Sequence, residues 1–266
     1  MVVHLAKTRS FIAKLFSIIF ETRLSQASAA LSYYLTMTFF PLLITAYALL
    51  GKSMDSLMQL LELAERLVSP AVMRLIKDFI SYVDTSGSAL MLPLGLAVLI
   101  SYASTAIRSM HSTIGNIQGG AEYKGISALI ASIIYSLVLI ALLYFAILIM
   151  LLGKTLVRGL GSGLYLSYLL LWGLLFTLIM GLFHVPKRRE DKYSVLPGAV
   201  LSSLAMVLII PAFSFFMGKS VRYSLVYGSI ASLILLMLWI YMCCFVLYLG
   251  AAFNVAFYSI KKEEAH

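Results

Sequence analysis

Long apolar stretches alternate with short charged segments along the chain. Six stretches contain no Lys, Arg, Asp or Glu, namely 24–51, 85–107, 125–153, 159–186, 193–218 and 223–260. Each has at least the roughly 20 residues that an apolar helix needs to cross a hydrocarbon core of ~30 Å. The pattern therefore predicts an all-α, polytopic membrane helical bundle with six transmembrane helices, near 27–50, 89–107, 127–152, 164–185, 195–217 and 228–258.

Two further segments place apolar residues at helical spacing without the length of a span. Residues 5–21 predict an amphipathic helix lying at the inner membrane interface, with one face toward lipid (Leu5, Phe11, Ile12, Leu15, Ile18 and Ile19). Segment 51–88 predicts two amphipathic helices, separated by Pro70, that cap the outer face of the bundle. A plain solvated loop is the alternative for this outer segment.

The composition agrees with a membrane location. Hydrophobic residues make up 62% of the chain and charged residues 12%, with a mean hydropathy of +0.99, whereas soluble proteins contain about 25% charged residues. A water-soluble core is therefore excluded, and 1–266 is predicted to be a single membrane domain.

The net charge of +9 has a topological interpretation. In a soluble protein it would suggest nucleic-acid binding, but membrane proteins retain Lys and Arg in their cytoplasmic segments. With both termini in the cytoplasm, the inner segments hold more Lys and Arg than the outer ones, and 187–189 is the densest group. We therefore expect cytoplasmic N- and C-termini and no nucleic-acid partner.

Polar residues inside the spans provide the functional signal. Ser25, Ala29, Ser32 and Thr36 share one face of the first span. The second span has a similar polar face that ends at Arg108. These faces predict a polar pocket open to the cytoplasm, with Arg108 as a fixed charge for a phosphate or other anionic group. The candidate substrate-binding residues are Ser32, Tyr33, Ser101, Ser104, Arg108 and Asn254.

A structural explanation of the same residues stays open. Small and hydroxylated side chains let membrane helices approach closely and hydrogen-bond one another, and an Arg near a helix end can extend to the interface. Asn254 is the residue that this explanation covers least well.

A basic group follows the fourth span, where side chains meet anionic lipid headgroups. The candidate headgroup contacts are His184, Lys187, Arg188 and Arg189. A solvated histidine with no ligand is the alternative for the first of these.

The sequence contains few side chains in positions suited to catalysis. All 11 Asp and Glu lie outside the charge-free spans, which disfavours transport coupled to protons or sodium through a buried acid. Phosphate-binding loops, HExxH, clustered His and Cys, and GxSxG are not found in the sequence. We therefore expect no catalytic residues, no metal, no cofactor and no enzymatic activity.

Several motifs carry a family resemblance in the same order along the chain. Ser28-Ala-Ala-Leu-Ser-Tyr-Tyr-Leu-Thr and Phe40-Pro-Leu-Leu lie in the first span, and Leu196-Pro-Gly-Ala, Tyr227-Gly-Ser, Leu238-Trp-Ile-Tyr and Leu249-Gly-Ala with Asn254 lie in the last third. Together they resemble the YihY/virulence factor BrkB membrane proteins. The resemblance implies a bacterial inner-membrane protein of six helices with cytoplasmic ends.

Two positions depart from that family pattern. Ala252 stands where the family tends to place Glu, and the segment before Pro186 lacks the Tyr and the basic residue expected there. An older label, ribonuclease BN, ties the family to RNA hydrolysis. That reaction needs paired acids, a metal cluster or an acid–base pair, so we expect no ribonuclease activity.

Two functions follow from these patterns. The first is a transporter or flippase-like protein for a lipid or amphipathic anionic solute, which would use the cytoplasm-facing pocket and Arg108. The second is a non-transporting membrane scaffold that supports envelope integrity. Membrane lipids are expected partners under both, and homo-oligomerisation is left open.

Overall fold

The computed structural model describes residues 2–49, 70–85, 91–119, 163–184, 194–219 and 221–263. Within these ranges every regular element is an α-helix, as the apolar pattern predicts. The helices are α1 (Val2–Glu21), α2 (Leu24–Leu49), α3 (Pro70–Thr85), α4 (Met91–Gln118), α5 (Gly163–His184), α6 (Leu196–Lys219) and α7 (Val221–Glu263).

Three of these helices are long and apolar enough to cross a bilayer. The stretches are Leu24–Thr45 in α2, Leu196–Phe213 in α6 and Leu233–Ile260 in α7. A shorter apolar stretch, Trp172–His184, lies in α5. Helix α4, where the span 89–107 is predicted, is not among these stretches. The span predicted at 127–152 lies outside the described residues, so a total of six transmembrane helices stays a prediction.

Helix α7 is the central element of the bundle. It packs against α1, α2, α3, α4 and α6, while α2 also packs along α4 and α5 along α6. The core at α7 combines a large side chain, Tyr248, with the small residues Ala251, Ala252 and Ala256, all of them fully buried. Small residues let neighbouring helices approach closely where lipid gives little hydrophobic drive for association.

Helix α1 differs from the prediction in the face that it buries. Four of the residues expected to face lipid pack instead against the bundle core (Phe11, Leu15, Ile18 and Ile19). The Phe11 ring meets that of Phe253 on α7 edge-on, with 5.2 Å between ring centroids. Ile12 is exposed as predicted, and the Leu5 side chain lies outside the described residues. The expected lipid face is therefore largely a contact with α7, because that helix competes with lipid for the same apolar surface.

Helix α3 lies where the second amphipathic helix of segment 51–88 is predicted. It begins at Pro70 and buries one stripe at helical spacing (Met73, Ile76, Ile80 and Val83). Phe79 makes an edge contact with Phe40 of α2, at 5.0 Å between ring centroids. Residues 51–69, where the other amphipathic helix is predicted, lie outside the described residues.

Truncating the α3 stripe tests how strongly this helix is docked. Ile80→Ala removes a buried side chain and should lower the free energy of unfolding by about 2–3 kcal/mol, because a cavity remains. Asp78→Ala, on the exposed face of the same helix, is the control and should change stability little. Thermal unfolding of both variants in detergent measures the difference, and equal melting temperatures would contradict the docking.

Candidate functional site

The six predicted pocket residues lie on three helices of the bundle. Five of them lie on the paired helices α2 and α4. Asn254 lies on α7 and makes its hydrogen bonds with the N-terminal start of α6. Ser32, Ser104 and Asn254 are buried, and Tyr33, Ser101 and Arg108 are exposed. Asn254 therefore belongs to a close contact between α6 and α7, and the other five residues belong to the α2–α4 helix pair. A cytoplasm-facing pocket that joins all six stays a prediction.

The buried hydroxyl groups of α2 are already used within their own helix. Ser32 Oγ donates to the Ala29 carbonyl at 2.8 Å, and Thr36 Oγ1 donates to the Ser32 carbonyl at 2.7 Å. Ser28 Oγ donates to the Leu24 carbonyl at 2.8 Å in the same way. Such bonds satisfy hydroxyl groups locally, so on this helix the packing explanation is the better one.

Asn254 links the last helix to the start of α6. Its side-chain Oδ1 accepts from the backbone N–H of Gly198 at 2.6 Å, and its Nδ2 donates to the Val195 carbonyl at 3.1 Å. The first N–H groups of any helix lack partners inside that helix. Asn254 satisfies one of them from a neighbouring helix, so its amide positions α6 and is not available to a substrate.

Two glycines permit the close approach at this point. A Cβ atom at Gly198 would overlap the Gly250 carbonyl and come within 2.6 Å of the Asn254 side chain. A Cβ atom at Gly250 would overlap Ser202 Oγ, which donates to the Val246 carbonyl at 3.0 Å. The α6–α7 contact is thus closed by backbone approach and hydrogen bonds.

Arg108 differs from these residues because its guanidinium bonds only neutral groups of its own helix. Its Nε donates to the Ser104 carbonyl at 3.4 Å and its Nη2 to Thr105 Oγ1 at 3.5 Å, both long bonds that turn the guanidinium back along α4. Among the residues that the structure describes, no carboxylate pairs with it. A guanidinium has five N–H donors in a planar fork, so most of its capacity to bind an anion is free.

Further hydroxyl groups lie on α4 before Arg108 and on the paired helix α2. Tyr33 is 42% exposed, and its side chain lies beside that of Tyr102 on α4. Thr105 donates to the Ser101 carbonyl at 2.9 Å and also accepts from the guanidinium. We call Tyr33, Ser101, Tyr102, Thr105 and Arg108 the α2–α4 polar face.

The predicted headgroup residues are described only in part. His184 is exposed at the last residue of α5. Lys187, Arg188 and Arg189 lie outside the described residues, and their contact with lipid stays a prediction.

Sequence reasoning missed three polar residues of interest, all of them on α4. Tyr102 joins the polar face, and His111 and Gln118 are buried near the end of the helix. Within the described part of the chain, neither polar atom of the Gln118 amide has a hydrogen-bond partner. The predicted span ends before Arg108, where the charge-free stretch stops, but the helix continues to Gln118. The helical spacing of Ile107, Ile114 and Ile117, which continues past Arg108, could have shown that the helix extends further.

The described ranges contain no group of three or more His, Cys, Asp or Glu side chains that could hold a metal ion. The α2–α4 polar face offers hydroxyl groups and one guanidinium. Its chemistry suits recognition of an anionic group.

Comparison with known proteins covers nearly the whole chain. The family model described as virulence factor BrkB matches residues 15–266. The chain belongs to the virulence factor BrkB family. Together with its apolar helices, BrkB membership identifies it as a bacterial membrane protein.

One curated relative of this BrkB protein is YfkH of Bacillus subtilis (strain 168), which is named as a ribonuclease-like protein. The two are 24% identical in an alignment of 266 residues. This alignment covers 95% of this chain and 97% of the relative. No solved structure gives a significant match.

Adding one methyl group tests the α6–α7 contact. Gly198→Ala should lower the free energy of unfolding by about 1–3 kcal/mol, because the new atom meets backbone that cannot move aside easily. Gly173→Ala on α5 is the matched control, since within the described part of the chain its added Cβ meets no atom within 4 Å beyond its chain neighbours and its own helix backbone. Thermal unfolding in detergent should separate the two variants, and equal stability would contradict the close approach.

Proposed function

We propose that this protein moves an anionic amphipathic lipid or solute across or within the membrane, as a transporter or flippase-like protein. The observation that carries the proposal is the exposed Arg108 guanidinium, which has no carboxylate partner among the described residues. We place the headgroup contact on the α2–α4 polar face, since the Asn254 amide is engaged in hydrogen bonds with the start of α6.

The Arg108 guanidinium carries a charge that no carboxylate among the described residues neutralises. Ionisable residues in membrane helices are expensive, and they commonly mark a substrate or ion pathway. An anionic headgroup would offset this cost at Arg108 by accepting two parallel N–H bonds from the guanidinium. The hydroxyl groups of Tyr33 and Tyr102 would bond the uncharged polar atoms of the same headgroup.

The surface of α4 supports an amphipathic ligand in particular. Its first turns expose large apolar side chains (Leu94, Leu96, Val98 and Ile100), and the polar face with Arg108 follows along the same helix. Acyl chains would contact the apolar part while the headgroup bonds the polar part. An inorganic anion would use only the second of these surfaces.

Scaffolding is the second candidate, and the α6–α7 contact favours it. Gly198, Gly250 and Asn254 lock these helices by backbone approach and hydrogen bonds. A pathway that opens and closes would not run between them without breaking those bonds. Under this candidate the protein supports the envelope by packing against partners, and Arg108 is dispensable.

We also propose that the protein is not a ribonuclease, although its relative YfkH carries that description. Hydrolysis of RNA needs an acid–base pair or metal-held water, and the α2–α4 polar face supplies neither. We place the protein in the inner membrane with both termini in the cytoplasm, on the distribution of its Lys and Arg residues.

Neutralising Arg108 tests the transport proposal. In liposomes, Arg108→Gln should reduce protein-dependent movement of fluorescent anionic lipids at least about ten-fold, a loss equivalent to one charge-assisted bidentate contact. Arg108→Lys should retain part of the activity because it keeps the charge but not the planar fork. Folding should be unchanged in both variants, since the side chain is exposed.

Ser112→Ala, exposed on the same helix, is the control and should behave as the wild type. Wild-type movement of anionic lipids by Arg108→Gln would exclude the polar face as the site. If the wild-type protein moves neither anionic nor zwitterionic lipids, the scaffold candidate is favoured. Cleavage of a labelled RNA by the purified protein would contradict the proposal that it is not a ribonuclease.

A further inference from the structure

Helix α1 has more apolar surface than the bundle covers. Its Phe11, Leu15 and Ile18 face packs on the core, but a second apolar stripe, which we call the α1 stripe, runs beside it. The α1 stripe consists of Ile12, Phe16 and Phe20 at four-residue spacing, with Phe16 53% and Phe20 76% exposed. The Phe16 and Phe20 rings stack with 6.4 Å between centroids, so they form one continuous apolar ridge.

Basic side chains stand at both ends of this ridge. Arg9 lies three positions before Ile12 and Arg23 three positions after Phe20, and both are exposed, as is the acidic residue Glu21 on the polar side of the helix. Glu21 already accepts a hydrogen bond from Ser17 at 2.5 Å. The surroundings of the α1 stripe are therefore positively charged.

Arg23 keeps its side chain at a position whose backbone favours glycine. Its φ angle is 47°, in the left-handed region, at the corner where α1 ends and α2 begins. Glycine is the usual residue at such a helix end, because a Cβ atom is unfavourable there. Arg23 lies three positions beyond Phe20, and its backbone N–H donates to the Phe20 carbonyl at 3.2 Å.

We propose that the α1 stripe and its basic border form a binding surface for anionic phospholipid, with acyl chains on Phe16 and Phe20 and a phosphate at Arg23. Three features of this surface select lipid as the occupant. The ridge is apolar, its border is positively charged, and α1 is continuous through Arg23 with α2, which has the length and hydropathy of a membrane span. Amphipathic helices with aromatic residues on one side and basic residues on the other bind anionic bilayer surfaces by the same two forces. This surface is separate from Arg108 and does not depend on the proposed transport.

Single tryptophans on α1 report where the helix meets lipid. The full-length variants Phe16→Trp, Phe20→Trp and Ser17→Trp are reconstituted in vesicles of phosphatidylcholine and phosphatidylglycerol, with brominated acyl chains as quencher. The native Trp172 and Trp239 give a background common to all variants, which the wild-type protein measures. Tryptophan at 16 or 20 should be quenched several-fold more than at 17, because Ser17 lies on the polar side of the helix beside Glu21.

The charge requirement is tested by brominating one lipid at a time. Quenching of the Phe20→Trp tryptophan should be stronger with brominated phosphatidylglycerol than with brominated phosphatidylcholine at equal mole fraction. Arg23→Gly in that background should lower this preference by up to about five-fold, the contribution of one basic residue near an anionic surface. Because glycine suits the left-handed backbone, the same variant should fold at least as stably.

Each alternative result overturns part of the proposal. Equal quenching at 17 and 20 would exclude the orientation of α1. Equal quenching by the two lipids would exclude the anionic phospholipid. Absence of quenching at both 16 and 20 in the reconstituted protein would show that a second copy or another protein covers the α1 stripe.

Discussion

The bundle depends on the hydrogen-bonded contact between the start of α6 and the last part of α7. In a hydrocarbon environment there is little hydrophobic force between helices, so close packing and polar satisfaction decide which helices associate. Asn254 supplies both a donor and an acceptor to the first turn of α6, and the two glycines bring the backbones near enough for these bonds to form. Since α5 packs on α6 and five helices pack on α7, this contact fixes the arrangement of the others.

The α2–α4 pair is built in the opposite way. The hydroxyl groups of Ser28, Ser32 and Thr36 close on their own helix, which leaves the helix pair to be held by side-chain packing. Arg108 and Tyr33 then face outward with unused hydrogen-bonding capacity. The α6–α7 contact is therefore held by backbone approach and hydrogen bonds across helices, whereas the hydroxyl groups of α2 bond within their own helix.

The sequence predicted the helical class and the position of several spans because uninterrupted apolar stretches depend on local composition alone. Its boundaries were less accurate where charge and structure diverge, as in α4, which continues ten residues past Arg108 to Gln118. The face that α1 buries could not be derived either, because α7 and lipid accept the same apolar side chains. The role of Asn254 required knowledge that Gly198, 56 residues away, lies beside it. A local pattern shows that a polar residue is unusual but does not show what it bonds.

The length of α7 has a mechanical consequence. Its 43 residues extend for about 64 Å at 1.5 Å per residue, which is about twice the thickness of a hydrocarbon core. No proline interrupts it. It packs against α1, which precedes α2 in the chain, and against α3. Helix α3 in turn contacts α2 at Phe40. These two amphipathic helices thus lie along one stiff rod, so a change in the tilt of that rod would displace both at once.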